Sequence, residues 1–436
     1  GDVYKRQLML QGQKAKALFF FWIGVFGLLL FLSFNKHSKS GRFNYHAVLW
    51  ADKAGYFVFL PAATYYQFDA KNFPDHIAKK TGDGFALDTA SGKVISKYPV
   101  GNALMHAPFY AMACLLDYLQ GTKQNLGFSK IQHHFVIISF CFYESLALLL
   151  LLIMLSRKYP KKRALLMLFF MLFSSNVLWY FTRDVGLSHG YSFFVFSALL
   201  FLLGRRKKIN FWWLFALVFL AALAIALRPI NALALALVLL GFGWSKILLA
   251  MAWAKKHFWR FFILLSFALL PIFLQLVYYL YAYGSWLSYS YGNEGFSFLF
   301  SPKFLAVFFA LGNGLFPYNS PLLFMVLGFA FFWKKQGKNQ WPALALFILT
   351  SFIYAAWWSV GLGCGFGHRG FVEFMPVFLF PFASFFDALN RRKQYLFSFF
   401  WLFHAIILMK ISYAYDGCWH GQSIWDLDAW WQLLLS

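Results

Sequence analysis

Long apolar runs, joined by short polar connections, fill most of this chain. The runs are about 17 to 25 residues long, and a helix of that length crosses the ~30 Å hydrocarbon core of a bilayer. Their residues do not alternate between apolar and polar, as the strands of a membrane barrel would. A helix satisfies its own backbone hydrogen bonds in lipid. We therefore predict an all-α integral membrane protein that forms one polytopic domain over residues 1–436.

The hydropathy pattern predicts about eleven transmembrane helices. They span residues 17–34, 131–156, 164–182, 188–204, 210–227, 230–250, 261–283, 303–333, 342–358, 371–388 and 395–415. Run 303–333 is too long for one span. Its Gly-Asn-Gly segment (312–314) and its Pro-containing segment (317–321) predict a kink, a re-entrant piece or an outer loop. Run 17–34 is followed by no small-residue cleavage site, so we interpret it as a signal anchor, and whether residues 1–7 are native stays open.

A long polar segment, residues 35–130, separates the first two spans. Within it, residues 44–67 and 100–120 have helical character and mix aromatic with polar side chains. This mixture is typical of helices that lie along a membrane surface. We predict that 35–130 is a large first extracytoplasmic loop with two membrane-surface helices, and that 416–436 is an extracytoplasmic tail.

The distribution of charge predicts the orientation of the chain. The formal net charge is +24, but the basic residues cluster between apolar runs, which indicates a positive-inside membrane protein and no nucleic-acid partner. The clusters are 157–158 with 161–163, 205–208, 255–256 with 260, 334–335 with 338, and 391–393. A cytoplasmic N-terminus puts them all in the cytoplasm and nearly all acidic residues outside, with the C-terminus. The abundance of Lys and Phe over Arg indicates a bacterial inner membrane.

Two acidic residues lie at the predicted outer surface of the membrane. Asp52 precedes an aromatic surface helix, where partial desolvation would raise the pKa of its carboxyl and favour a role as general base. The alternative is a solvated acid paired with Lys53. Asp184 and His189 share a short turn between two spans, where they can share a metal ion or a proton. The alternative for Asp184 is a helix cap.

Basic side chains on the same face are placed to bind an anion. Lys97 lies at the start of the second surface helix, and Arg228 lies between two spans with almost no loop. A simple helix start and a snorkelling Arg are the alternatives. His368 and Arg369 end a Gly-rich loop, which allows close approach of a phosphate. The alternative is a structural loop in which Glu373 pairs with Arg369.

Other outer residues carry weaker signals. Glu294 lies in a Tyr- and Gly-rich loop whose composition suits contact with a carbohydrate. Cys364 and Cys418 both fall on the predicted oxidising side, and the sequence does not decide whether they form a disulfide. Cys114 and Cys141 show no metal-ligand spacing.

The order of these motifs resembles a known family. The motifs are WADKAGYFVFLP at 50–61, KYPVGNAL at 97–104, RD and SHGYS within 183–192, RP at 228–229, GLFPYNSP at 314–321, and WWSVG with FGHR within 357–369. Together they resemble the polytopic glycosyltransferases of the GT-C superfamily, near the dolichyl-phosphate-mannose–protein mannosyltransferases and the aminoarabinose transferases. The resemblance covers most of the chain.

The resemblance implies that a sugar moves from a polyprenyl-phosphate donor to an acceptor hydroxyl on a glycan, lipid or protein, with inversion at the anomeric carbon. By position, Asp52 is the implied general base and Asp184 the implied second acid. The residues expected to bind substrates are Lys53, Tyr56, Lys97, Tyr98, His189, Arg228, Glu294, His368 and Arg369. Some family members use a divalent metal near these acids, and the sequence does not decide that point.

Two other functions fit the same composition. A polymerase or ligase of envelope polysaccharide also has many helices and a large outer loop. A transporter would place charged residues within its spans, as Glu144 and Arg228 are placed. No clean internal repeat accompanies them, which counts against a transporter.

Overall fold

A computed structural model describes residues 2–38, 40–204, 209–332 and 340–436. Within these ranges the chain forms nineteen α-helices and one two-stranded hairpin. The predicted basic clusters at 205–208 and 334–338 lie outside the described residues.

The helices follow the predicted order along the chain. Their bounds are α1 Asp2–His37, α2 Asp52–Phe57, α3 Phe59–Thr64, α4 Ile77–Lys80, α5 Gly101–Leu119, α6 Lys130–Leu155, α7 Lys161–Phe173, α8 Val177–Thr182, α9 Ser188–Leu203, α10 Phe211–Leu227, α11 Asn231–Lys256, α12 Phe258–Ala268, α13 Leu270–Tyr283, α14 Phe304–Phe309, α15 Ser320–Phe332, α16 Trp341–Ala356, α17 Met375–Ala388, α18 Arg391–Ala414 and α19 Leu427–Leu435. Short 3-10 helices cover Ala70–Asn72, Phe316–Tyr318 and Arg369–Phe374.

Four helices are long and apolar enough to cross a membrane. They cover Ala15–His37, Lys130–Leu155, Arg369–Ala388 and Arg391–Ala414. α11 bends sharply at an internal break, and α12 and α13 meet at another bend. If each bent pair of segments is counted as one span, the number rises to six. The helices α9, α10, α15 and α16 are apolar but shorter. The chain is therefore a helical protein with several candidate spans, and the count of eleven stays a prediction.

Several predicted spans are interrupted. Span 164–182 consists of α7 and α8, with Ser174–Asn176 between them. Span 261–283 bends by 51° between α12 and α13, where Pro271 cannot donate a backbone hydrogen bond. The predicted break within 303–333 is confirmed, because a 3-10 helix separates α14 from α15.

The first loop differs from the prediction in two ways. The predicted surface helix 44–67 is shorter, because residues 44–50 form turns and bends and only α2 and α3 are helical. The loop also contains β1 (Ala86–Asp88) and β2 (Lys93–Ile95), which pair antiparallel, so the prediction of an all-α chain was wrong here. The second surface helix is α5 and has nearly the predicted bounds.

Close packing in the centre of the bundle brings several helix ends together. α9 packs against α6, α10 and the 3-10 helix that begins at Arg369. Gly190 permits the contact with α6, because a Cβ there would lie 2.2 Å from the ring of Phe140 and 2.4 Å from Glu144 Oε1. The start of α9, the end of α10 and the loop before α17 therefore converge on one region.

Candidate active site

Two cavities meet where these elements converge. The large cavity has a volume of about 900 Å³ and the polar cavity a volume of about 320 Å³. The large cavity is lined by residues that include Tyr56, Lys97, Tyr98, His189, Ile225, Arg228, Leu233, Ile272, Leu276, Tyr279, Tyr289, Tyr291, Glu294, Ile353, Trp357 and Trp358. The polar cavity is lined by residues that include Lys36, His37, Tyr45, His46, Trp50, Lys53, Trp179, Arg183, Asp184, Cys364, Asp416 and Gly417. Asp52 and Arg369 line both.

The backbone before Asp52 is held in an unusual conformation. Ala51 has φ 49°, in the left-handed region, and its N–H donates to the carbonyl of Thr81 at 2.8 Å. Gly84 packs directly on this turn, because a Cβ there would lie only 1.9 Å from the Ala51 carbonyl oxygen. The first loop thus fixes the start of α2, and with it the direction in which Asp52 leaves the helix.

The Asp52 carboxylate has partners on both sides. The hydroxyl of Tyr98 donates to its Oδ1 at 2.5 Å, and Arg369 Nη2 lies 3.4 Å from its Oδ2. The side chain is 38% exposed and faces the open space of both cavities. It is therefore held in place and still accessible to a substrate.

The pKa of Asp52 differs from the prediction. Burial alone would raise it, but the charge of Arg369, the hydrogen bond from Tyr98 and the charges of Lys97 and Lys53 outweigh burial and lower the pKa below its ordinary value. The expected rise in pKa was wrong because the sequence did not show these distant cations. Asp52 is ionised at neutral pH.

Asp184 and His189 lie near each other in sequence but have different partners. Asp184 accepts a hydrogen bond from Lys53 at 3.0 Å and faces the polar cavity. His189 lines the large cavity instead. The structure therefore does not bring Asp184 and His189 together at one cavity, and α9 has no side-chain cap. Lys53, expected near the base, neutralises Asp184.

A buried carboxylate that the sequence did not assign organises the large cavity. Glu373 is fully buried, and its Oε2 lies 2.6 Å from Arg228 Nη1 and 2.8 Å from His189 Nδ1. The alternative pairing of Glu373 with Arg369 was wrong, since Arg369 turns to Asp52. Glu373 and Arg228 are 145 residues apart, so no local pattern reveals their contact.

Lys97 lies at the edge of the large cavity. It pairs with Glu294 at 2.7 Å, and its ammonium lies 5.6 Å from the ring centre of Tyr291. The backbone carbonyl of Lys97 also accepts a hydrogen bond from Ser290 at 2.7 Å. The Tyr-rich segment after α13 is thereby attached to the loop that precedes α5.

His368 and Tyr56, both predicted to bind substrate, are buried and bonded to neighbouring protein groups. His368 is fully buried, with its Nε2 3.0 Å from the carbonyl oxygen of Val360, and it lines neither cavity. Burial lowers its pKa to about 3, so the ring is neutral. The structure therefore gives no support to the predicted contact between His368 and a phosphate, because the ring does not face either cavity. Tyr56 is buried beside the large cavity and accepts a hydrogen bond from Ser188 at 3.0 Å.

The disulfide that the sequence left open forms between Cys364 and Cys418. It joins the Gly-rich loop before Arg369 to the C-terminal tail. Cys364 and Gly417 both line the polar cavity. The tail 416–436 therefore supplies part of a cavity wall and does not extend freely from the last long helix.

The two predicted acids do not form a metal site with other ligands. Among the described residues, no group of three or more His, Cys, Asp and Glu side chains is arranged to hold a metal ion. Asp52 and Asp184 are already balanced by Arg369 and Lys53. This donor set does not fit a divalent metal, and we derive no step through one.

Comparison with known proteins supports the fold. The sequence matches no protein-family model and no curated protein. Among solved structures, the chain is similar to the crystal structure of ArnT from Cupriavidus metallidurans bound to undecaprenyl phosphate. The match covers 90% of this chain and 71% of that chain, with a TM-score of 0.50 and 12% sequence identity. The chain therefore has an ArnT-like fold, in agreement with the predicted GT-C-like architecture.

Proposed function

We propose that this protein is a membrane glycosyltransferase that moves a sugar from a polyprenyl-phosphate donor to an acceptor hydroxyl. One observation carries the proposal: an ionised carboxylate, Asp52, lies on the common wall of the large cavity and the polar cavity. A transferase must bring two substrates to one catalytic group from different directions. The reaction would take place at the outer face of a bacterial inner membrane.

The large cavity suits the donor. Its apolar lining from α10, α11, α13 and α16 can take isoprenoid units, while its polar end has Lys97, Arg228 and Arg369 for a phosphate. Tyr and Trp side chains at the same end offer flat surfaces to a sugar ring. The fold of ArnT, whose crystal structure contains undecaprenyl phosphate, is consistent with this assignment.

The polar cavity suits the acceptor. In the proposed step, the acceptor oxygen attacks the anomeric carbon from the side of Asp52 while the bond from that carbon to the phosphate oxygen breaks on the other side. The bonding electrons leave with the phosphate, the acceptor proton passes to Asp52, and the anomeric centre is inverted. Because the pKa of Asp52 is low, it takes the proton late, as the attacking hydroxyl becomes acidic.

Positive charge stabilises the leaving phosphate in this scheme. Arg228 keeps its charge, because the attraction of Glu373 outweighs the cost of its burial and raises its pKa. Arg369 faces both the carboxylate and the large cavity, so its charge is available as the phosphate leaves. Asp184 has no direct place in the transfer and holds Lys53 in position.

A reconstituted assay tests this function. Purified protein in lipid is given radiolabelled polyprenyl-phosphate sugars and a mixed pool of envelope acceptors. We expect transfer by the wild type and a loss of at least about 1000-fold in Asp52→Asn, because the amide cannot take a proton. Asp69→Asn, on the same loop, is the control and should be as active as the wild type. Equal transfer by Asp52→Asn and wild type would refute the proposal.

The alternative of a transporter rests on Glu144 and Arg228. Arg228 pairs with Glu373, and Glu144 is fully buried in α6 beside Gly190. Glu144 lines neither the large nor the polar cavity. The described geometry therefore gives the transport function no supporting pathway. An envelope polymerase or ligase would use the same two cavities, and the products of the assay separate it from a single sugar transfer.

A further inference from the structure

We infer that the polar cavity binds an acceptor through an anionic group, either a phosphate or a carboxylate, and that Lys36 and Arg183 hold that group. The inference rests on the proposed function, because it assigns the occupant of the cavity that Asp52 shares with the donor site. The sequence analysis gave neither residue a role, although Arg183 begins the RD motif.

The first argument is the pairing of charges around the polar cavity. Two of the three acids on its wall pair with a cation, Asp52 with Arg369 and Asp184 with Lys53. The third, Asp416, lies 2.9 Å from Nε2 of His420. Lys36 and Arg183 also line the wall, and in the described part of the chain neither side chain forms an ion pair or a side-chain hydrogen bond. The four cations on the wall thus outnumber its three carboxylates, and two of these cations, Lys36 and Arg183, form no ion pair among the described residues.

The second argument is the position of these cations. Lys36 is in the last turn of α1, and Arg183 directly follows α8, so both project from helix ends that pack together. The Arg183 guanidinium lies over the ring of Trp179, 5.3 Å from its centre. Stacking of this kind fixes a guanidinium plane and leaves its N–H edge free for a planar anion. Both ring nitrogens of His37, on the same wall, are buried and have no partner among the described residues.

The third argument is the contrast with the large cavity, which excludes the lipid donor as the occupant. The polar cavity has about a third of the volume and is lined mainly by charged, aromatic and His side chains. Two cations brought together and partly desolvated repel each other, and an anion between them removes that cost. A sugar that carries a phosphate or a carboxylate matches both the size and the charge.

A binding experiment that needs no catalysis tests the inference. Radiolabelled glucose 6-phosphate, glucuronate and glucose are dialysed against the full chain in lipid nanodiscs. We expect at least one of the two anions to bind the wild type, and glucose to bind at least about tenfold more weakly, because charge-assisted hydrogen bonds are the stronger ones. The anion that binds identifies the phosphate or the carboxylate as the natural group. Failure of both anions to bind, or equal binding of glucose, would overturn the inference.

Matched variants locate the site. Lys36→Gln and Arg183→Gln should each weaken binding of the anion about tenfold. Lys16→Gln, at the opposite end of the candidate span Ala15–His37, and Arg391→Gln, at the start of α18, should leave it unchanged. Lys36→Arg keeps the charge and should retain binding, which separates loss of charge from misfolding. Equal losses in the controls, or no loss in either test variant, would contradict the assignment.

The anion site and the proposed reaction can fail separately. Asp52→Asn removes a negative charge from the wall, so this variant should bind the anion at least as well as the wild type while it loses sugar transfer. Anion binding together with undiminished transfer by Asp52→Asn would refute the reaction and keep the site. If Asp52→Asn loses sugar transfer but the wild type binds neither anion, the anion site is refuted and the proposed reaction stands.

Discussion

The large cavity and the polar cavity share one wall but are built from different parts of the chain. The apolar helices α10, α11, α13 and α16 form the apolar side of the large cavity, whereas loops, helix ends and the C-terminal tail form the polar cavity. Beside the large cavity, the buried carboxylate of Glu373 pairs with Arg228. On the wall of the polar cavity, Lys36 and Arg183 have no ion-pair partner among the described residues. This difference supports our proposal that a lipid phosphate occupies the large cavity and a polar ligand the polar cavity.

The largest effect is expected where the two cavities join. Arg369→Gln removes the cation that faces both, so transfer should fall about 100- to 1000-fold, the cost of losing one stabilising group for a developing anion. Arg392→Gln, an exposed change in α18, is the control. A loss below threefold would show that Arg369 does not serve the leaving phosphate.

The same variant has a predicted pH dependence. In the wild type, Arg369 helps to lower the pKa of Asp52, so the base form persists as pH falls and the rate should decline only below the ordinary titration range of a carboxyl group. Without Arg369 that pKa rises, and the decline should begin at a higher pH. Transfer rates of both proteins, measured between about pH 3 and 8, check this, because the range includes the ordinary pKa of a carboxyl group. Identical acid limbs would contradict the role of Arg369.

The next largest effect should fall on the large cavity alone. Glu373→Ala leaves Arg228 buried without its partner, and breaking a buried pair costs about 3–5 kcal/mol of stability. Undecaprenyl phosphate should bind more weakly, while glucose 6-phosphate binding to the polar cavity stays the same. Asp387→Ala is the matched control, because its pair with Arg163 is partly exposed and should contribute about 0–1 kcal/mol. Equal thermal shifts in both variants would contradict this account.

The disulfide should affect the polar cavity alone. Cys364→Ser with Cys418→Ser releases the tail from the Gly-rich loop, at an expected cost of about 2–4 kcal/mol in stability. Acceptor KM should rise severalfold with donor KM unchanged. Cys114→Ser, a free thiol outside both cavities, is the control. A change confined to donor KM would contradict the division between the cavities.

The smallest effect concerns the rim of the large cavity. The pair between Lys97 and Glu294 is partly exposed, so Glu294→Gln should lower stability by about 0–1 kcal/mol. Freed from Glu294, Lys97 should bind the donor phosphate as well as before or slightly better. A tenfold loss of donor affinity would show instead that Glu294 contacts the substrate directly.

The sequence predicted features that depend on local pattern. The apolar runs indicated most helices, and the Gly and Pro residues within 303–333 indicated the break between α14 and α15. Asp52 and Arg369 were proposed as partners of one site because their motifs lie on one predicted face. The hairpin at β1 and β2 was missed because each strand is three residues long, too short for a periodic signal.

Contacts between distant residues could not be predicted. Nothing near Glu373 shows that it faces Arg228 and not its neighbour Arg369, since the choice depends on how α9 and α10 pack. The lowered pKa of Asp52 has the same origin, because Tyr98 and Arg369 reach it from other parts of the chain. Lys36 and Arg183 resemble ordinary basic residues at helix ends until the polar cavity brings them together.

The most direct test of the division between the cavities is the affinity for undecaprenyl phosphate in lipid nanodiscs. Arg228 lines only the large cavity and Lys53 lines the polar cavity but not the large one. The account predicts that Arg228→Gln weakens binding at least about tenfold, while Lys53→Gln leaves it within about twofold, the scale of a partly exposed pair. An equal loss in both variants, or a loss only in Lys53→Gln, would contradict the assignment of the donor to the large cavity.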